Sequence, residues 1–212
     1  MLTSEDKKQA ITELEWEMFQ KVQNQGGRAA CQDNRAVFFI MRMSQYAPWP
    51  EVLLDSYMAD LSRAKVMERN MVAEKYAWMM EVTAPAEFEA IRDMLPPLSE
   101  KKEVLIREIV AEETRWFQEY AARYPLLASG NRTGDAARNA ESLGGTSMPV
   151  YLKGELRTYS LATLRLYLDM VHDLQEKGQN PGIMIMDDQM KRLGYRDIED
   201  AENSLGGQTH EQ

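Results

Sequence analysis

Apolar residues recur three and four positions apart along almost the whole chain, and alternating runs rich in Val, Ile and Thr are nearly absent. Such spacing stacks side chains on one face of a 3.6-residue helix, whereas a half-buried strand needs a period of two. The chain therefore reads as all-α. At 212 residues, 44% of them hydrophobic, it is long enough to close one sizeable core, and no linker separates two. The expected architecture is a single-domain helical bundle of five or six main helices over residues 1–200, with a polar C-terminal tail over 201–212.

Cap residues set the expected boundaries. Thr3 and Asp6 form a capping-box pattern opening a helix from about 4 to 24, stopped by Gly26 and Gly27. A second helix spans about 33–47. Pro50 suits the first position of a long helix running to about 82 with a bend midway, and shorter and longer helices follow over about 85–94 and 100–123. The stretch 125–148 collects Gly, Ser, Asn and Thr and reads as a long loop, with or without one short helix. Pro149 then opens a helix to about 177, and one or two short helices precede the tail SLGGQTHEQ. No internal repeat is evident.

Charge and composition exclude several classes. Lys and Arg number 25 against 34 Asp and Glu, a net charge of −9, so the chain lacks the basic footprint of a nucleic-acid binder. No run of about 18 apolar residues is present to span a membrane, and the opening MLTSEDKKQAITELEWEMF lacks a signal-peptide core. One cysteine rules out an internal disulfide framework or a cysteine-built zinc site and suits a reducing compartment. A cytoplasmic protein is expected, without haem or a dinucleotide-binding motif.

The informative anomaly is three carboxylates on apolar helix faces. Glu15 is flanked at helical spacing by Ile11, Met18 and Phe19; Glu113 by Ile109, Val110, Trp116 and Phe117; Glu155 by Tyr151, Leu152, Thr158 and Tyr159. Burying a carboxylate costs free energy unless a partner compensates. If the three helices pack together, the carboxylates could converge to bind a divalent metal such as Mg or Mn, hold an amine, or act as general acid or base. The competing reading is structural, with Arg28, Arg42, Arg107, Arg157 and Lys75 as internal partners. A ferritin-type di-iron site is disfavoured because Asp169 and His172 supply one i, i+3 pair where two Glu-x-x-His pairs are needed.

Two further features stand out. The turn Asn24 to Asn34 gathers glycines, Arg28, Cys31, Gln32 and Asp33 ahead of a helix; it reads as an anion site with Arg28 as clamp, or as a helix stop and cap with Cys31 a small apolar residue. Trp16, Trp49, Trp78 and Trp116, with Tyr76, Tyr120, Tyr151 and Tyr159, lie close to the carboxylates in the pattern, as core or as walls of a polar pocket.

The runs EWEMF at 15–19, Asn24 with GGRA at 26–29 and Cys31 to Asp33, and YL-GEL-TYS within 151–160 resemble a bacterial family catalogued only as a domain of unknown function, with a likeness spanning nearly the whole chain. The resemblance implies a small bacterial cytoplasmic protein and carries no activity, cofactor or catalytic residue. Two functions remain open from the residues. One is a small-molecule or metal-dependent enzyme or binding protein, with Glu113, Glu155 and Tyr159 catalytic, Glu15, Arg28, Gln32, Trp116 and Tyr151 binding ligand, and the loop from 128 to 148 as a lid. The other is an acidic interaction module or homodimer using a Met-rich face. The stripe Val66, Met67, Met71, Trp78, Met79 separates them: exposed, it favours docking; buried beside a polar cavity, it favours the pocket.

Overall fold

A computed structural model describes residues 2–23, 27–133 and 147–208. Among the described residues there are eleven α-helices and no strand. They are α1 (Ser4–Gln20), α2 (Arg35–Gln45), α3 (Glu51–Val66), α4 (Met71–Thr83), α5 (Pro85–Ile91), α6 (Glu100–Arg123), α7 (Pro125–Thr133), α8 (Met148–Thr158), α9 (Leu161–Glu176), α10 (Pro181–Arg192) and α11 (Ile198–Gln208). None is long and apolar enough to cross a membrane.

The all-α expectation holds, and the count of five or six is corrected for local reasons. The expected helix 50–82 is two: after α3 the chain turns at Glu68, whose φ of 56° is left-handed, and Asn70 caps α4 by accepting the N–H of Ala73 at 3.0 Å. The expected helix 149–177 also divides, because Tyr159 is extended (φ −72°, ψ 151°) and Ser160 caps α9. Helix α7 occupies the start of the expected loop, and the remainder of the lid segment, 134–146, lies outside the described residues, as do 24–26. The chain expected as a tail from 201 continues α11 to Gln208, with Ala201 buried and Glu202 capping the N–H groups of Leu126 and Leu127.

The helices pair in a twofold pattern, contrary to the expected absence of a repeat. Helix α1 packs on α2, α3 and α4; α6 packs on α8, α9 and α10 in the same way. Helix α4 crosses to α8 of the second half, and α10 crosses back to α2, while α3 meets α9. Residues follow the same correspondence. Ile11, Glu15, Phe19 and Gln20 of α1 match Ile109, Glu113, Phe117 and Gln118 of α6; Val37, Phe38, Arg42 and Tyr46 match Val150, Tyr151, Glu155 and Tyr159. Asn70 Nδ2 donates to the Met18 carbonyl at 2.8 Å, and its counterpart Asn180 donates to the Trp116 carbonyl at 2.9 Å. The left-handed turn before each asparagine is made by Glu68 and by Gly178 (φ 62°).

The main core gathers Ile11, Leu53, Leu54, Leu61, Ile106, Ile109, Leu156 and Leu164, all essentially inaccessible, around the α3–α9 contact. A smaller cluster of Tyr120, Tyr124, Leu127, Met190 and Ile198 joins α6, α7, α10 and α11. Of the Met-rich stripe, Met71, Trp78 and Met79 are buried, and only Val66 and Met67 at the α3–α4 turn are exposed.

Candidate functional site

Glu15 lies on the buried face of α1, Arg42 on α2, Lys75 on α4 and Glu155 on α8; each helix buries the stripe that carries its charge, so four ionised groups meet inside the core. Arg42 stands between the two carboxylates. Its Nε donates to Glu15 Oε2 at 2.7 Å and its Nη2 to Glu15 Oε1; Nη2 also donates to Glu155 Oε1 at 2.8 Å and Nη1 to Glu155 Oε2 at 3.4 Å. Lys75 Nζ donates to Glu155 Oε2 at 3.0 Å and to the Tyr151 hydroxyl at 2.5 Å. Two cations and two carboxylates sum to zero, which removes most of the cost that isolated buried charges would carry.

Tyrosine hydroxyls complete the acceptor sites. Tyr46 and Tyr57 donate to the two oxygens of Glu15, each at 2.7 Å, and Tyr159 donates to Glu155 Oε1 at 3.0 Å. A carboxylate offers about four lone-pair positions. Glu15 accepts two bonds from Arg42 and one from each of two tyrosines; Glu155 accepts two from Arg42, one from Lys75 and one from Tyr159. Both are saturated.

The electrostatics fix the protonation states. Burial alone would raise the Glu155 carboxyl, but the charges of Arg42 and Lys75 hold it far below the usual carboxylate range. Burial alone would lower the Lys75 ammonium, and Glu155 reverses that, so Lys75 stays charged. The hydroxyls of Tyr46, Tyr57 and Tyr159 are pushed well up by burial and by neighbouring carboxylates. No group shifted in this way is poised to exchange a proton near neutrality.

A cavity of ≈ 30 Å3 sits on this cluster, room for about two waters. Its inner wall is Glu15, Arg42, Lys75 and Glu155 with Tyr57, Phe19 and Met71, all buried; Phe38, Val72, Tyr76 and Tyr151 are half-buried and form its mouth. Phe19 and Phe38 stack with centroids 5.2 Å apart, and Lys75 Nζ lies 3.8 Å from the Tyr151 ring centroid and 5.6 Å from that of Tyr76. These are cation–π distances.

Of the expected site residues, Glu15, Glu155, Tyr151 and Tyr159 come together here, and four do not. Glu113 is on the second-half counterpart of α1, where Tyr167 donates to it at 2.9 Å and no cation pairs with it among the described residues. Burial pushes its carboxyl up to about 7, against the opposing bond from Tyr167. The correspondence between halves gives the reason: the position of Arg42, which neutralises Glu15, is occupied in the second half by Glu155, which cannot neutralise Glu113.

Arg28 is exposed and bound to Asp33 at 2.7 Å and to Gln20 and the Gln32 carbonyl. Gln32 is a buried staple, its Nε2 donating to the carbonyls of Phe19 and Val22 at 2.8 and 3.0 Å. Trp116 is core on α6. Helix α1 ends at Gln20, short of the expected 24, and in the described part of the turn, from Gly27 on, Cys31 is half-buried and its thiol raised by burial rather than activated.

Arg42, Lys75, Tyr46 and Tyr57 are the site residues the pattern did not single out as ligand contacts, although Arg42 and Lys75 stood among its potential ion partners. Among the described residues no group of three His, Cys, Asp or Glu is placed to hold a metal ion. Of the three carboxylates expected to serve a divalent cation, Glu15 and Glu155 are taken by Arg42 and Lys75, and Glu113 is bound by the Tyr167 hydroxyl.

Residues 7–203 match a family described as "Protein of unknown function (DUF4125)". No curated protein and no solved structure matches the chain.

Proposed function

We propose that this chain, which belongs to the DUF4125 family of proteins of unknown function, is a small-molecule-binding protein whose ligand enters the cavity above the Arg42 cluster. The observation that carries the reading is the cavity itself: a half-open mouth of aromatic and aliphatic side chains over a buried wall whose charges are fixed in advance. Preorganised polar groups beside apolar side chains recur in ligand sites, and room for about two waters admits one end group of a ligand with the rest lying at the mouth. Binding is favoured over acid–base catalysis because Glu155 and Lys75 are locked in their charged forms at neutral pH. It is favoured over docking of a partner helix because most of the Met-rich stripe is core. A bacterial cytoplasmic setting, without nucleic acid or membrane as partner, belongs to the same reading and is supported by the acidic balance and the single thiol.

Val72→Trp tests it. Val72 is at the mouth and takes no part in the ion cluster, so a larger side chain there blocks entry and leaves the charges paired. Thermal unfolding with a panel of small acids, amines, amides and sugars should show a compound that raises the midpoint of the wild type and not of Val72→Trp. Saturation at about a hundred times Kd stabilises by about 2.7 kcal/mol. A panel that leaves both proteins unchanged, or shifts both equally, overturns the pocket.

A further inference from the structure

We propose that the ligand of this cavity presents a carboxylate to Lys75, Tyr76 and Tyr151, with an apolar body against Phe19, Phe38 and Val72; the assignment rests on the pocket reading above and specifies its ligand class. The argument is a count of donors and acceptors. Every acceptor position of Glu15 and Glu155 is filled, so the wall offers an incoming cation or amine no free carboxylate oxygen. Arg42 is also spent, on both carboxylates, Tyr46 and Gln45.

The donors are a different matter. An ammonium has three N–H groups, and Lys75 uses two, on Glu155 and Tyr151. Tyr151 accepts from Lys75 and retains its own hydrogen, and neither it nor the Tyr76 hydroxyl meets an acceptor among the described residues. Three residues that line one cavity thus each keep a donor with no acceptor among the described residues. A charged donor favours an ionised acceptor.

Size narrows the choice. Space for about two water-sized atoms suits the paired oxygens of one carboxylate and is too small for the four oxygens of a phosphate. The Phe19–Phe38 stack and Val72 then meet whatever carbon body the carboxylate carries.

Isothermal titration of the full chain with benzoate, benzamide and benzylamine separates the possibilities, since the three share a ring and differ in the group presented. Benzoate should bind at least tenfold tighter than the other two, and Tyr151→Phe and Tyr76→Phe, which each delete one hydroxyl, should each weaken benzoate about tenfold or more. Both variants keep the Arg42 cluster, and circular dichroism confirms that they fold; Lys75→Met is the stronger test where it folds. Preference for benzylamine or benzamide overturns the carboxylate and leaves the pocket standing, provided Val72→Trp abolishes the binding. Benzoate binding unchanged in both tyrosine variants also overturns it. If no probe binds while another compound binds in a Val72→Trp-sensitive manner, the carboxylate assignment fails alone; if nothing does, both fail.

Discussion

Glu155 holds two cations and one tyrosine at once, so its neutralisation is felt by all of them. Glu155→Gln leaves Lys75 and half of the Arg42 interactions without a counter-charge, and the loss should be about 3–5 kcal/mol in urea unfolding at pH 7. Glu113 behaves in the opposite sense. Its folded pKa of about 7 exceeds the unfolded value of about 4.3, so the folded state binds the extra proton between those values and stability falls as pH rises through them. Glu113→Gln should therefore flatten the stability profile between pH 4.5 and 7 and stabilise the protein at pH 8, by at most about 4 kcal/mol. A wild type whose urea midpoint is level across that window would contradict this. The carboxylates were legible because an acid on an apolar helical face is conspicuous. Their partners were not selected, because a long cationic stem packs along apolar surface and leaves the same periodic trace as a solvated residue.

At the scale of elements, α4 and α8 approach so closely that a Cβ added at Gly154 would lie 2.8 Å from Met79 Cγ and 2.9 Å from the Lys75 carbonyl oxygen. The second contact is backbone and cannot step aside. Gly154→Ala gains up to about 1 kcal/mol of helix propensity and still should lower stability by about 1–3 kcal/mol through overpacking, with the loss read in the thermal midpoint. Glu68 is the reverse case: it adopts the left-handed conformation that Gly178 supplies in the other half, so Glu68→Gly should stabilise by about 0.5 kcal/mol after the added unfolded-state entropy. These turns explain why helix existence was legible and helix number was not. Neither Glu68 nor Tyr159 is a helix breaker by type, so apolar periodicity runs through both breaks; α7 was left open, as a short helix or none, because its start is held by a distant residue, Glu202 of α11.

The whole molecule is two similar halves exchanging helices, α4 onto α8 and α10 onto α2. Few identities carry the correspondence, and the segments between matched helices differ in length, so the repeat is legible in the packing and not in the sequence. The exchange predicts that a fragment ending at Leu98 does not fold as a monomer, because the surface that covers α4 belongs to the other half. Co-expression with the fragment beginning at Ser99 should restore a one-to-one helical complex with cooperative unfolding. A first fragment that is monomeric and cooperative by itself would refute the exchange as the source of stability.

The Arg42–Glu155 contact joins two positions that correspond across the pseudo-axis. In an assembly of two identical subunits, a residue on the axis meets its own copy, arginine against arginine or glutamate against glutamate. Carrying both halves on one chain lifts that restriction and lets unlike charges share the axis. The arrangement is a dipole where symmetry would impose a repulsion, and it leaves the two halves unequal: Glu15 has a guanidinium beside it, whereas Glu113 has no cation among the described residues and its carboxyl is raised to about 7 by burial.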